Sequence, residues 1–357
     1  MNKKVALYLF CFLFSIDTIA INQPVESPFN NKVLKKDSLN SSFSFIVTGH
    51  LHGASSNISG FPAASLLANI DTINSLNADF IISLGDLFLD VNDNYVANYK
   101  RSLFDKLNMP LFNAVGNHDL SGNRYESYFG KTFFSFVYNE NLFIFLDTEI
   151  NDGSIKGEQM EFFKNAISQA QKNNAIKNIF IASHRPVWSE NNSRYNTFFK
   201  GNTQTQFGLN NFKTEVSSYL NELSTKSIFW FSGSMASGPV SFFYDKQKDS
   251  NISFIITAIR DLKRDAILLV SVNTDKAVEF NTISLTGEPL HNLQTYDIEF
   301  WNRNSKNMEM DFNYRLIPYL TLQMIKHYHF WIGLAFGILI MSLFVFIKRR
   351  FFFKNKF

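Results

Sequence analysis

The pattern of apolar and amphipathic segments changes character in the last third of the chain. Before residue 231, short apolar runs with the length of buried strands alternate with stretches of helical periodicity, which is typical of parallel βαβ units. The first runs are 43–48, 80–84 and 111–115, and the stretches between them are 63–76 and 95–107. Later runs at 239–244, 252–258, 266–272 and 277–283 follow one another without helical segments. The pattern therefore predicts an α/β fold in which two sheets pack together.

The middle of the chain continues this pattern and adds a hairpin. Residues 133–137 and 142–146 flank Asn139-Glu140-Asn141, which predicts two antiparallel strands joined by a tight turn. Residues 189–212 are rich in Asn, Ser, Thr and Gly and indicate a long surface loop. The remaining predicted elements are helices at 158–172 and 213–223 and strands at 179–182 and 228–231.

The N-terminus has the composition of an export signal. Asn2-Lys3-Lys4 precede an apolar stretch from Val5 to Ile16, which predicts a signal peptide over residues 1–20. An uncleaved anchor is the alternative, although the apolar stretch is short for a membrane span. Residues 21–42 are polar and predict a leader before a domain at 43–284.

A longer apolar segment lies near the C-terminus. Phe330 to Ile347 is almost continuously apolar, and at ~1.5 Å per residue a helix of this length nearly crosses a ~30 Å hydrocarbon core. Lys348-Arg349-Arg350 follow, and the positive-inside rule assigns them to the cytoplasm. We therefore expect a stalk at 285–326, a transmembrane helix at 327–350 and a cytoplasmic tail at 351–357. The main domain would be extracytoplasmic, in a periplasmic, extracellular or lumenal compartment.

Composition limits the classes of partner and chemistry. The chain is 45% hydrophobic, which is enough for one large domain or two modest ones. Charged residues make up 18% and the net charge is +3, so no nucleic-acid surface is expected. Cys11 is the only cysteine and falls in the predicted signal peptide, which excludes disulfides and thiol catalysis from the exported part.

Polar clusters follow several of the apolar runs, where strands would end. The clusters are Gly49-His50-Leu51-His52, Leu84-Gly85-Asp86, Gly116-Asn117-His118-Asp119 and Ser183-His184. In open α/β sheets ligands bind at the carboxyl ends of strands, and imidazole, carboxylate and amide groups can all bind divalent metals. A fifth cluster, Gly233-Ser234-Met235-Ala236, contains neither imidazole nor carboxylate.

The order of these clusters, with Gly-Asn-His-Asp as the most specific, resembles the calcineurin-like metallophosphoesterases over about residues 43–284. The resemblance implies a two-sheet αββα sandwich with two divalent metals at the strand ends. In that family a metal-bound hydroxide attacks phosphorus, and the metals stabilise the phosphoryl oxygens. The expected substrate is a phosphorylated small molecule, a lipid or a nucleotide-like compound.

The same resemblance implies a role for each candidate residue. His118 corresponds to the residue that contacts the phosphate or protonates the leaving group. Asp119 corresponds to its orienting partner, since a carboxylate on the far ring nitrogen fixes the tautomer. The corresponding ligand sets are His52 and Asp86 for the first metal, and Asp86, Asn117 and His184 for the second.

The sequence departs from the family pattern at two motifs. His50 stands where the family has Asp, and Ser234 and Ala236 stand where it has two histidines. Because neighbouring dications repel, the loss of an anionic ligand and two imidazoles weakens a two-metal site. We therefore expect one Mn, Fe or Zn ion, or none. His50, His52 and Asp86 form a set that suits a single ion, with two ordinary loop histidines as the alternative.

Two functions of different classes follow. The first is a membrane-anchored extracytoplasmic phosphoesterase with a partly lost metal site. The second is a catalytically inactive module of the same fold that serves binding or assembly at the membrane. The His118-Asp119 pair favours the first, so we expect a metal-dependent phosphoric ester hydrolase.

Overall fold

In the computed structural model, two β-sheets pack face to face with helices on their outer sides. The predicted two-sheet αββα sandwich is confirmed. The predicted signal peptide lies outside the described residues, and so does Ala236. The structure describes residues 24–35, 42–199, 201–203, 209–235, 238–304 and 311–354.

The first sheet has the strand order β11-β10-β1-β2-β3. Strands β1, β2 and β3 are parallel, and β10 pairs antiparallel with both β1 and β11. The parallel strands therefore end at one common edge, as the sequence pattern predicts. The strands of this sheet are β1 Phe43–Thr48, β2 Phe80–Ser83, β3 Leu111–Asn113, β10 Ala266–Val272 and β11 Val278–Ser284.

The second sheet has the order β4-β5-β6-β7-β9-β8, with antiparallel strands at both edges. Its strands are β4 Phe134–Tyr138, β5 Asn141–Leu146, β6 Asn178–Ser183, β7 Ser227–Ser232, β8 Phe242–Lys246 and β9 Ile252–Thr257. The predicted hairpin forms between β4 and β5. Asn139 and Glu140 have φ of 44° and 59°, and positive φ at both turn residues matches the twist of the strands.

The predicted helices form, but three of them are interrupted. The helix expected at 213–223 begins with a π-helical turn at Phe212–Val216 before α7. The helix expected at 63–76 divides into two short helices near Asn69, whose side-chain amide donates to the Leu285 carbonyl at 2.9 Å. The helix expected at 95–107 continues into a π-helical turn at Lys100–Phe104. The helices are α1 Ala64–Leu67, α2 Ile70–Ser75, α3 Asp93–Tyr99, α4 Arg124–Phe129, α5 Gly157–Lys172, α6 Asn196–Phe199, α7 Ser217–Asn221, α8 Ile298–Asn304, α9 Ile317–Lys326 and α10 Tyr328–Lys354.

Phenylalanine rings fill the space between the sheets. Phe45 of β1 stacks on Phe80 of β2 with ring centroids 5.1 Å apart, and it meets Phe143 of the opposite sheet edge-on at 5.3 Å. Phe143 in turn stacks on Phe180 at 4.9 Å. The abundance of Phe in the sequence is therefore explained by packing between sheets that holds the strand ends in register.

The packed core extends beyond the predicted domain limits of 43 and 284. In the predicted leader, the Ser27 hydroxyl donates to the Leu111 carbonyl of β3 at 2.6 Å. In the predicted stalk, Trp301 is buried and its indole N–H donates to the Phe242 carbonyl at 3.0 Å. Further along the stalk, Phe312 pairs with Leu262 in a β-bridge, and Leu316 is buried. Parts of both flanking segments thus belong to the folded domain.

The C-terminal helix α10 differs from the other described helices. Its segment Tyr328–Arg349 is 22 residues long and apolar enough to cross a membrane, and none of that apolar window is buried. A break at His327, with φ of −85° and ψ of 129°, separates it from α9.

We predict that Phe143→Ala destabilises the fold by about 3–5 kcal/mol, because it opens a cavity among the five aromatic rings that pack against Phe143. Denaturant unfolding of the detergent-solubilised chain measures this change. Ile58→Ala is the control, because Ile58 is 82% exposed and should shift stability by no more than about 0.5 kcal/mol. Equal stability losses in the two variants would contradict the description of the core.

Candidate metal centre

The candidate ligands lie on loops at the carboxyl ends of β1, β2, β3 and β6, and direct hydrogen bonds join these loops. The His50 N–H donates to the Gly85 carbonyl at 3.0 Å, and the His118 N–H donates to Asp86 Oδ1 at 3.1 Å. The Ser234 N–H, after β7, donates to the His184 carbonyl at 2.7 Å. Strand ends from both sheets therefore form one continuous site.

Two glycines make this close approach possible. A Cβ on Gly116 would lie 2.3 Å from the Asp86 nitrogen, and one on Gly233 would lie 2.1 Å from the Leu84 carbonyl oxygen. Neither distance is compatible with a side chain unless the backbone moves. The glycines that lead these motifs are thus required by the contact between neighbouring loops.

Two of the candidate ligands have a strained backbone. His50 and Asp86 have φ of 55° and 52°, in the left-handed region that residues other than glycine seldom adopt. Such conformations persist where the surrounding structure fixes them, and they concentrate at functional sites. The strain turns both side chains toward the same buried point.

At that point a single carboxylate oxygen is surrounded by imidazoles. Asp86 Oδ2 lies 3.3 Å from His50 Nδ1, 3.6 Å from His52 Nε2 and 3.5 Å from His184 Nε2. Two groups have ligand atoms within 4.8 Å of one another, His50–Asp86–His184 and His52–Asp86–His118. The structure therefore brings five predicted residues together, but it groups His50 with His184, whereas the sequence suggested His50 with His52.

The hydrogen bonds of the rings leave nitrogen lone pairs directed into the cluster. His184 Nδ1 lies 2.8 Å from the Leu84 carbonyl oxygen, and because a carbonyl only accepts, Nδ1 carries the proton. Nε2 of a neutral ring then presents its lone pair to the carboxylate. That nitrogen and both ring nitrogens of His50 and His52 are buried without a hydrogen-bond partner among the described residues. A bound cation would bind one nitrogen of each ring that faces Asp86, so the residues fit a metal ion.

The charges of the cluster also favour the binding of a cation. Burial acts to raise the pKa of Asp86, but His184 and His50 outweigh it and hold that pKa well below its ordinary value. Burial lowers the pKa of His50 well below its ordinary value, although Asp86 acts in the opposite direction. An ionised carboxylate beside a neutral imidazole is the donor set that a divalent ion requires.

Two further predicted residues flank His118 on the same loop. Asn117 is exposed, and its role as a metal ligand stays a prediction. The carboxylate of Asp119 accepts from the backbone N–H groups of Phe88 at 2.9 Å and Gly116 at 3.0 Å, and burial raises its pKa. The expectation that Asp119 orients His118 is corrected, because His118 Nδ1 instead lies 3.1 Å from the Leu89 carbonyl oxygen. Asp119 fixes the loop backbone instead of the ring.

The last motif offers no nitrogen ligand in its described residues. Ser234 Oγ accepts a hydrogen bond from the Asn202 amide at 2.8 Å, and Met235 is buried in the core of the second sheet. Sequence reasoning missed Arg260, which follows β9 at the same edge and donates from Nη2 to the Met235 carbonyl at 3.1 Å. A charged residue after the apolar run 252–258 was the available signal.

The neighbouring Arg185 is buried, although a solvated surface position is the commoner case for arginine. Its Nε and Nη2 donate to Glu149 Oε2 at 2.9 Å and 2.7 Å. The pKa of Glu149 is raised by burial, while His184 and Arg185 act in the opposite direction. Because Arg185 directly follows His184, this ion pair helps to fix the backbone that carries the His184 ring.

One protein-family model matches part of the chain. Residues 43–216 match the profile of the calcineurin-like phosphoesterases, which confirms the resemblance seen in the motifs. No curated protein matches the chain by sequence.

Several solved structures are similar to this chain. GAP50, the anchor in the inner membrane complex of Plasmodium, is 13% identical, with 75% of this chain and 95% of that chain covered and a TM-score of 0.48. A dimetal phosphatase from Danio rerio is 13% identical, with coverages of 68% and 99% and a TM-score of 0.43. A predicted phosphoesterase from Streptococcus pneumoniae is 11% identical, with coverages of 70% and 94% and a TM-score of 0.33.

We predict that Mn²⁺ or Zn²⁺ stabilises the EDTA-treated chain and that Asp86→Asn abolishes this effect. Ligand at about 100 times its Kd adds about 2.7 kcal/mol to a protein that binds it only when folded, which raises the Tm by several degrees. Asparagine tolerates the left-handed backbone of residue 86, so the variant removes charge without adding strain. Elemental analysis and thermal unfolding measure both quantities.

Asp105→Asn is the matched control, because Asp105 is an exposed carboxylate paired with Lys100 at 2.9 Å. It should bind and respond to metal as the wild type does. Equal metal content in wild type and Asp86→Asn would rule out the site.

Proposed function

We propose that this chain, whose residues 43–216 match the calcineurin-like phosphoesterase family, is a phosphoric ester hydrolase that works with one divalent ion. The observation that carries the proposal is the buried Asp86 carboxylate with three imidazole nitrogens 3.3, 3.6 and 3.5 Å from one of its oxygens. Buried polar atoms normally have hydrogen-bond partners, so the unpaired ring nitrogens of this cluster are best explained by a bound cation.

The residues that would hold the ion are His50, Asp86 and His184, and Mn, Fe or Zn suits their donor atoms. A divalent ion there would lower the pKa of water and offset negative charge on a phosphoryl group. The chain itself fixes the donors before any ligand arrives. The Leu84 carbonyl accepts from His184 Nδ1 and so fixes the tautomer of that ring. The His118 backbone N–H donates to Asp86 Oδ1 and so orients the carboxylate.

His118 is the proposed general acid. It is half-buried at the mouth of the cluster, with its ring centroid 5.1 Å from that of His52. The Leu89 carbonyl accepts from Nδ1, so the ring turns Nε2 toward the site. In its cationic form the ring carries a second proton on Nε2, which it can donate to the leaving oxygen of a phosphate ester. Asp119 serves as the positioning residue of the loop that carries this ring.

The substrate would be a phosphorylated small molecule, a lipid or a nucleotide-like compound, and the chain would act at a membrane. Helix α10 supports the membrane part, since its segment Tyr328–Arg349 has the length and composition of a span. Lys348-Arg349-Arg350 at its end favour a cytoplasmic C-terminus. With a signal peptide at 1–20, the main domain would be extracytoplasmic.

A second function is favoured by one specific observation. Ser234 is hydrogen-bonded to Asn202, and Met235 is buried in the core. These two side chains of the motif therefore stabilise the fold instead of binding a metal ion. A binding or assembly module at the membrane would tolerate such changes. It would bind metal weakly or not at all and would not turn over a phosphate ester.

We predict that the metal-loaded chain hydrolyses an aryl phosphodiester and that His118→Ala lowers kcat by about 10²–10⁴-fold with unchanged metal content. Initial rates and elemental analysis of the same samples measure this. His291→Ala is the control, since His291 lies in the segment after β11, outside the cluster. No turnover by wild type with bound metal would favour the second function. In that case the triple variant His50→Asp, Ser234→His and Ala236→His tests whether the remaining site is competent.

We also predict that the chain resists extraction from membranes at alkaline pH and that paired Ile338→Arg and Ile340→Arg substitutions release it. Each arginine at the centre of a span costs about 2.5–3.5 kcal/mol on insertion. In sealed vesicles, protease should remove a C-terminal tag from the cytoplasmic face and leave the domain intact. A protected tag with a digested domain would reverse the proposed orientation.

A further inference from the structure

Arg260 lies directly beside the loop that carries His50. It follows β9, whose end packs tightly on that loop, since the Ile259 N–H donates to the Gly49 carbonyl at 3.1 Å. The Thr257 carbonyl oxygen would lie 3.0 Å from a Cβ on Gly49. The end of β9 therefore belongs to the same edge as the strand ends that supply the candidate ligands, although it contributes no metal ligand.

The Arg260 side chain occupies the region of the degenerate last motif. Its Nη2 donates to the Met235 carbonyl at 3.1 Å, and its backbone N–H donates to Asp265 Oδ1 at 2.9 Å. Its Nε is buried and has no hydrogen-bond partner in the part of the chain that the structure describes. A guanidinium with an unsatisfied donor thus contacts the backbone of the motif in which the family pattern has metal-binding histidines.

The charge of this side chain acts on the metal cluster. Burial lowers the pKa of Arg260, while Asp86 and Asp265 act in the opposite direction. Arg260 is also among the groups that lower the pKa of His50. Since a guanidinium stays protonated in proteins, the site keeps a fixed positive charge whether or not metal is bound.

The other arginines at this edge are engaged elsewhere. Arg185 donates twice to Glu149, and Arg264 donates to the Val240 carbonyl and contacts the Met235 sulfur at 3.4 Å. Arg260 combines an unsatisfied donor with a position next to Ile259, whose N–H binds the loop that carries His50. A planar guanidinium also matches the oxygens of a phosphoryl group better than an ammonium does.

We propose that Arg260 is an anion-binding residue that takes over the charge of a second metal ion and holds the phosphoryl oxygens beside the single-ion site. The proposal rests on the proposed function for its substrate, a phosphate ester. It explains how the chain can lose two histidine ligands and one carboxylate and still bind a phosphoryl group. If the proposal is correct, the metal-free chain still binds phosphate, but more weakly than the metal-loaded chain does.

Calorimetric titration of the full-length chain in detergent with inorganic phosphate, with Mn²⁺ and after EDTA treatment, tests the proposal. Wild type should bind phosphate in both states. Arg260→Gln should weaken binding about tenfold or more in both states and leave the metal content unchanged. Lys263→Gln is the matched control, because it removes the same charge from the same loop, where Lys263 lies 3.8 Å from Glu288, and it should bind as wild type does.

Wild-type phosphate affinity in Arg260→Gln, or no phosphate binding by the metal-free wild type, would overturn the proposal. If Arg260→Gln fails to fold, Arg260→Lys replaces it. This variant keeps the charge but loses the planar fork, so it should bind phosphate severalfold more weakly, and unchanged affinity would again overturn the proposal. Arginine-dependent phosphate binding without ester hydrolysis would instead refute the proposed function alone.

Discussion

The structure of the site depends on one interaction, the burial of the Asp86 carboxylate among imidazole rings. A buried carboxylate is costly unless opposite charge or donors compensate it, and here Oδ1 accepts a backbone N–H while Oδ2 faces three nitrogens. The left-handed backbone at Asp86 and the absence of a side chain at Gly116 are both needed for this arrangement. The chain therefore adopts a strained local backbone that holds one anionic oxygen in a buried cluster.

The two-sheet core gives this cluster its rigidity. Rings from both sheets interlock around Phe45 and Phe143, so the strand ends cannot slide independently. His50, Asp86 and His184 each lie within three residues of the end of a strand. Positioning by strands instead of long loops keeps the donors fixed before a cation or a substrate arrives.

Strand positions and their polar ends could be predicted from the sequence, because apolar runs of strand length in βαβ order specify a common edge. Which of the candidate ligands would bind the same metal ion could not be predicted from the sequence. His50 and His52 are neighbours in sequence, yet the left-handed turn at His50 directs it toward His184, which lies more than a hundred residues away. Asp119 and Arg260 were assigned wrongly or missed for the same reason, since their roles depend on contacts between loops of different strands. The packing of Ser27 and Trp301 on the sheets likewise depends on tertiary contacts that local composition does not reveal.

The bridge between Phe312 and Leu262 and the burial of Leu316 hold the chain to the domain almost up to the start of α9. Only the ten residues of α9 and the break at His327 then separate the folded body from α10. Ten helical residues extend about 15 Å. If α10 crosses a bilayer, this short connection holds the point where the chain leaves the folded body within about 15 Å of the lipid surface.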